Sequence, residues 1–252
     1  MFGSTFAACA TGNYEIVLLQ YITVYEDGSE PTLNFANHCG SFEKPCSTLE
    51  SEIKYCKSRN IKVILSIRRI EASQTQTTVN SVEAARKLAA FLWNNYLSSK
   101  YGPLGQVALD GINILDVPGG ENLRWEEILN AVNEFSTTER KIYLAASPQC
   151  NGIYLSNAIN TGLIDYAFML FYYDPGCSYD RTRKDATSLL NSWQTWITLS
   201  DKLVFMGLPA SPDATGGSGY VEPNALKRDI LPAVKQAPNY GGILLFDRAE
   251  DV

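Results

Sequence analysis

A parallel α/β fold built around one core is predicted by three features of this 252-residue chain. Short β-branched runs alternate with longer stretches of helical period, which marks a parallel sheet rather than a sandwich. A composition of 45% hydrophobic, 11% aromatic and 19% charged residues supplies one sizeable core, and α/β barrels of this length form single domains. No internal repeat or low-complexity tract divides the chain, so residues 1–252 read as one domain.

Seven strands are expected, at Glu15–Thr23, Lys62–Ile67, Val107–Val117, Lys141–Ala146, Tyr166–Tyr173, Lys202–Pro209 and Gly241–Phe246. Between them, Ser81–Tyr96 (Val82, Ala85, Leu88, Ala89, Leu92), Arg124–Phe135 (Trp125, Ile128, Leu129, Val132) and Ser188–Trp196 each carry one apolar helical stripe. Pro223 suits the first turn of a further helix, Asn224–Lys235, which Pro232 is expected to bend or end. Ala214–Gly219 reads as a mobile loop. Seven strands are one short of a closed eight-stranded barrel, and the chain stops soon after the last one. Something is therefore expected to be missing at both ends, leaving two strand edges to face solvent.

A formal net charge of −6 and the lack of a basic patch argue against nucleic acid or an anionic membrane as partner. The longest apolar runs, such as Lys62–Ile67 and Ala167–Tyr173, are far shorter than the roughly 20 residues of a membrane helix. The one histidine, His38, has no company for metal binding and reads as structural, so neither a metal nor another cofactor is expected. Six cysteines, Cys9, Cys39, Cys46, Cys56, Cys150 and Cys177, contain no Cys-x-x-Cys pair. Disulfides are favoured over zinc or redox chemistry, with free buried thiols as the alternative. Disulfides imply an extracellular or vacuolar location, yet Met1 to Phe6 lacks the basic start and apolar core of a signal peptide, so a trimmed chain is expected.

Several segments together resemble the plant class III chitinases, the hevamine-like branch of family 18 glycoside hydrolases. They include Ala36-Asn37-His38-Cys39, Phe91-Leu92-Trp93-Asn94-Asn95, Leu109-Asp110-Gly111-Ile112, Ala145-Ala146-Ser147-Pro148-Gln149-Cys150 and Asn160-Thr161-Gly162-Leu163. The likeness continues through Phe171-Tyr172, Gly207-Leu208-Pro209-Ala210, Gly217-Ser218-Gly219-Tyr220-Val221 and Tyr240-Gly241-Gly242. It implies a (β/α)8 TIM barrel lacking its first strand and final helix, and disulfides Cys9 to Cys56, Cys39 to Cys46 and Cys150 to Cys177.

Hydrolysis in the resembled family is substrate-assisted: the sugar's own N-acetyl oxygen attacks the anomeric carbon while one glutamic acid transfers the proton. The motif that serves it, Asp-Gly-x-Asp-x-Asp-x-Glu, places its last three acids on one strand face, because side chains alternate with period two. Here it reads Asp110-Gly111-Ile112-Asn113-Ile114-Leu115-Asp116-Val117. By the resemblance Val117 stands where the proton donor belongs, Leu115 where the acetamido-orienting carboxylate belongs, and Asn113 where the supporting acid belongs. Only Asp110 is kept. Asp116 is one residue out of phase and faces away on a regular strand, unless a bulge turns it inward. General acid catalysis typically contributes roughly 100- to 10,000-fold, so efficient hydrolysis is not expected.

The resemblance also places Arg68 and Arg69 at glycines that admit sugar, Leu170 at a polar site position and Phe246 at a tryptophan under the sugar. Tyr21, Asn34 and Tyr172 keep cleft positions, and with Phe246 they are the candidate carbohydrate contacts. The leading expectation is a catalytically defective lectin for N-acetylglucosamine oligomers or other glycans. The alternatives are a weakly active endochitinase or lysozyme, an inhibitor docking Arg68, Arg69 and the loop Asp174–Lys184 on a microbial glycanase such as a xylanase, and a seed storage protein.

Overall fold

The computed structural model describes residues 5–25, 31–33, 35, 39, 46–70, 81–115, 124–151, 155–199 and 202–248. Its strands are β1 (Ile16–Tyr25), β2 (Thr32–Leu33), β3 (Lys62–Ile70), β4 (Gly111–Leu115), β5 (Tyr143–Ser147), β6 (Tyr166–Leu170), β7 (Leu203–Pro209) and β8 (Tyr240–Phe246). Hydrogen bonds join them in the order β2-β1-β3-β4-β5-β6-β7-β8. The pairs β1/β3, β3/β4, β6/β7 and β7/β8 are parallel, as helical crossovers require. The antiparallel β2 was not expected from the sequence. It pairs Leu33 with Ile22 and Thr32 with Thr23, covering part of a β1 edge expected to face solvent.

Strand boundaries differ from expectation at several points: β1 runs on to Tyr25 and β3 to Ile70, β5 begins at Tyr143 rather than Lys141, and β4 and β6 are shorter. β4 begins at Gly111 rather than Val107, because Leu109 bonds instead outside the sheet: its N–H donates to Tyr96 O at 2.9 Å. β6 ends at Leu170 rather than Tyr173, which adopts φ +69°, outside the β region.

The chain forms two compact units, residues 2–145 with 160–163 and residues 146–159 with 164–252. In the first, α1 (Thr5–Thr11) is stapled to α2 (Leu49–Ser58) by Cys9–Cys56, and a second disulfide joins Cys39 to Cys46. Helix α2 buries Leu49, Ile53 and Cys56 at helical spacing, with Glu50 and Glu52 in its first turn and Lys57 in its last, complementing the helix dipole. In α3 (Val82–Leu92), Ser81 caps the start by accepting from Ala84 N at 3.0 Å, and Ala85, Leu88, Ala89 and Leu92 form the buried stripe. A π-turn, Trp93–Leu97, continues α3 where one straight helix was expected to Tyr96. The Arg140 guanidinium satisfies Leu97 O there and lies 5.3 Å from the Trp93 ring centroid. Helix α4 (Trp125–Asn133) buries Trp125, Ile128, Leu129 and Val132.

Asp110 ties four elements of this unit. Its N–H donates to Val63 O at 2.8 Å, and its carboxylate accepts from Val63 N at 2.8 Å, clamping β3 from both sides of one residue. Its carbonyl accepts from Tyr143 N in β5 at 2.9 Å, and its other carboxylate oxygen pairs with Lys57 of α2. The next residue must be small, because a Cβ on Gly111 would lie 2.0 Å from Tyr143 O.

In the second unit, Met169, Phe171, Trp193, Met206 and Leu208 centre the core. Helices α5 (Ser156–Asn160) and α6 (Thr187–Leu199) follow β5 and β6 in the chain. The α6 residues Ser192 and Trp196 both donate to Cys150 O, at 3.1 and 2.9 Å, holding the segment that carries the Cys150–Cys177 disulfide. The helix expected over Asn224–Lys235 is α7 (Pro223–Ala225), a π-turn (Leu226–Ile230) and α8 (Leu231–Val234). Pro232 accounts for the break, since its ring and missing N–H oppose a regular preceding turn. No helix among the described residues is long and apolar enough to cross a membrane.

Replacing Asp110 with Ala leaves the Val63 N–H without its acceptor and Lys57 without its partner. The expected cost is about 2 kcal/mol, read as a lower urea midpoint with an unchanged slope. Glu83→Ala, which removes only an exposed pair with Lys87, is expected to leave the midpoint in place; equal midpoints for both variants would refute the role given to Asp110.

Candidate functional site

The motif strand divides by function along its length. Asp110 and Gly111 stand at its N-terminal end and bind neighbouring backbone, whereas TIM-barrel chemistry is performed at the C-terminal ends of strands. Toward that end Asn113 is fully buried, and its side-chain amide donates to Ser66 Oγ at 3.2 Å. The register sets Asn113 beside Ser66 and Leu115 beside Arg68 on β3, which in turn sits beside Thr23 on β1. One sheet face of the first unit thus carries Thr23, Ser66, Arg68, Asn113 and Leu115. The opposite face carries Ile22, Val24, Leu65, Ile67, Ile112 and Ile114, all buried.

An irregularity in β1 brings Tyr21 to the first of these faces. Leu19 pairs with Leu65 and Ile22 with Ile67, so Gln20 and Tyr21 together oppose Ser66. Arg68 Nη1 donates to Tyr21 Oη at 2.9 Å, and the guanidinium carbon stands 5.2 Å from the ring centroid. The tyrosine expected to meet a sugar is therefore already engaged by a cation. Neither Asn113 nor Leu115 carries a titratable proton, so these two motif positions can orient or exclude a ligand but cannot act as general acids. Asn34, Val117 and Asp116, like His38, lie outside the described residues, as does the side chain of Arg69.

The second unit places Tyr172 and Phe246 together, their rings stacked at 5.6 Å and 24°. Tyr172 is 3% exposed, and Leu170 is buried beside it in the chain. Tyr173, which sequence reasoning did not single out, meets the Tyr172 ring edge-on at 5.1 Å and is 57% exposed. Its left-handed backbone is held by an N–H donated to Ser218 Oγ at 2.9 Å. Residues expected to form a mobile loop supply this anchor. Asp213–Thr215 forms a 3-10 turn, Thr215 Oγ1 donates to Ser218 O at 2.7 Å, and a Cβ on Gly219 (φ +71°) would lie 2.5 Å from Phe171 O. The doubled Tyr172-Tyr173 was the one sequence hint, but alternation alone does not disclose a positive φ. Among the described residues no group of three or more His, Cys, Asp or Glu could hold a metal ion.

Burial pushes the Tyr172 phenol well above its ordinary value, and Tyr173 and Asp247 push it in the same direction. In the first unit burial raises Tyr96 to about 12. The unfolded chain releases tyrosine protons near pH 10, while these folded phenols hold theirs to higher pH. Above about pH 10 the unfolded state therefore binds fewer protons, and stability falls as pH rises. Tyr172→Phe is expected to flatten that alkaline limb in urea melts from about pH 8 to 11; a limb of unchanged slope would show that Tyr172 ionisation is not linked to unfolding.

No family model matches the chain. An acidic endochitinase of Cicer arietinum is 38% identical over 253 residues, covering 99% of this chain and 83% of that protein. Among solved structures, the tamarind chitinase-like lectin matches with a TM-score of 0.86 and 38% identity, over 99% of this chain and 90% of that one. A xylanase-α-amylase inhibitor protein in complex with trehalose matches with a TM-score of 0.86 and 34% identity, over 99% and 90%. Identity at this level across nearly the whole chain, on a shared fold, shows that this protein belongs to the plant acidic endochitinase family, the class III chitinase-like proteins of the family 18 TIM-barrel fold.

Proposed function

We propose that this chain is a catalytically defective chitinase-like protein that binds glycans, N-acetylglucosamine oligomers in particular, without hydrolysing them. The observation that carries this reading is the pair Asn113 and Leu115. One is a buried amide spent on Ser66 and the other an apolar side chain, where the family motif puts carboxylates. With Val117 at the position of the proton donor, the strand lacks the acid that substrate-assisted cleavage needs. Phe246, partly exposed and stacked on the buried Tyr172, retains an aromatic ring of the kind that sugar rings use. A lectin among the structural neighbours is consistent with recognition outlasting chemistry on this fold. The three disulfides favour a secreted or vacuolar protein, because such bonds persist in oxidising compartments.

A second reading, inhibition of a microbial glycanase, is favoured by the build of the loop after β6 and by the inhibitor protein among the neighbours. Asp174 accepts from Gly176 N at 2.8 Å, and Asp180 and Asp185 exchange backbone hydrogen bonds at 2.9 and 3.0 Å. Arg183 and Lys184 are thus presented on a shaped turn rather than a loose one.

The protein is expected to be retained on a chitin column, to elute with free chitooligosaccharide, and to release no fluorophore from a fluorogenic chitooligosaccharide. Phe246→Ala is expected to weaken retention, with a cooperative urea transition retained as the folding control. Turnover at ordinary enzyme rates would refute the loss of catalysis, and flow-through of folded wild-type protein would refute the binding; inhibition of xylan hydrolysis by that flow-through would favour the second reading.

A further inference from the structure

We propose that Arg68 makes the sheet face beside Leu115 a receptor for a carboxylate, so that the preferred ligand is a glycan bearing acidic sugar units. The inference rests on the glycan-binding reading and names its substrate class. Arg68 is a partly buried cation on β3. None of the ion pairs among the described residues uses it. Its strand neighbours in register, Thr23 and Leu115, bring no counter-charge.

The guanidinium is nonetheless fixed in place. Nη1 is spent on the Tyr21 hydroxyl, and the cation lies against the Tyr21 ring. Nε is buried and has no hydrogen-bond partner among the described residues. A buried donor without an acceptor is costly, and more so on a charged group. With Nη1 engaged on Tyr21, the remaining edge is the one formed by Nε and Nη2, and its Nε donor is unmet among the described residues. That edge is the fork that takes a planar carboxylate through two parallel hydrogen bonds.

The motif change sharpens the argument. A carboxylate at position 115 would pair with Arg68 across the strand, whereas leucine brings no charge, and no described residue pairs with the cation in a chain whose formal charge is −6. The ancestral arrangement aims acids at a neutral sugar. This face carries a cation and no acid among its described residues, so the sign of the charge the ligand should bring is reversed.

The test compares two tetrasaccharides by calorimetry: neutral chitotetraose, and a hyaluronan tetrasaccharide in which N-acetylglucosamine alternates with glucuronate. The wild type is expected to prefer the acidic sugar by about tenfold, a preference that shrinks with added salt. Arg68→Met is expected to bring the two affinities within about twofold, and Arg68→Lys to restore only part of the preference, because an ammonium lacks the fork. Succinate should not compete at concentrations that saturate the acidic sugar; full competition would overturn the glycan part of the inference. Chitotetraose bound as tightly as the acidic sugar, or a preference that survives in Arg68→Met, would overturn the role of Arg68 and leave the glycan reading standing. Binding of neither sugar by folded protein would overturn that reading as well.

Discussion

The backbone clamp of Asp110 on Val63 is the constraint on which the first unit depends. A carboxylate and a main-chain N–H from one residue grip both polar groups of Val63, while the carbonyl reaches β5 and the second carboxylate oxygen reaches α2. Each bond alone is worth about 1 kcal/mol, but their convergence fixes the register that sets Asn113 beside Ser66 and Leu115 beside Arg68. A one-residue slip would exchange the polar face for the face of Ile112 and Ile114.

This dependence accounts for the uneven erosion of the motif. Asp110 and Gly111 are held by packing, the first by its partners and the second by the closeness of Tyr143 O. The positions two and four residues after Gly111 lie on the face of Ser66 and Arg68, and nothing in the backbone geometry demands acids there. A chain can therefore keep the frame of a hydrolase while losing its acids, because fold and chemistry reside at opposite ends of one strand.

Much of this was legible in the sequence. Short β-branched runs located the seven main strands, and the stripes of Ala85, Leu88 and Leu92 and of Ile128, Leu129 and Val132 located two helices, since burial imposes such patterns directly. The breaks at Tyr173 and before Pro232 were harder to place. Proline announced the second, but a tyrosine with positive φ leaves no compositional mark, being stabilised by Ser218, 45 positions away in sequence. Thr32–Leu33 was too short to show alternation. At the site, the losses at Asn113 and Leu115 were visible by inspection, whereas the engagement of Tyr21 by Arg68 was not, because it depends on a bulge that turns Tyr21 toward the neighbouring strand.

Binding that has outlived catalysis can be read from one calorimetric titration of the purified protein with chitotetraose. A saturable binding heat that returns to baseline after every injection is expected. A steady heat flow persisting after injection, the signature of continuing hydrolysis, would contradict it.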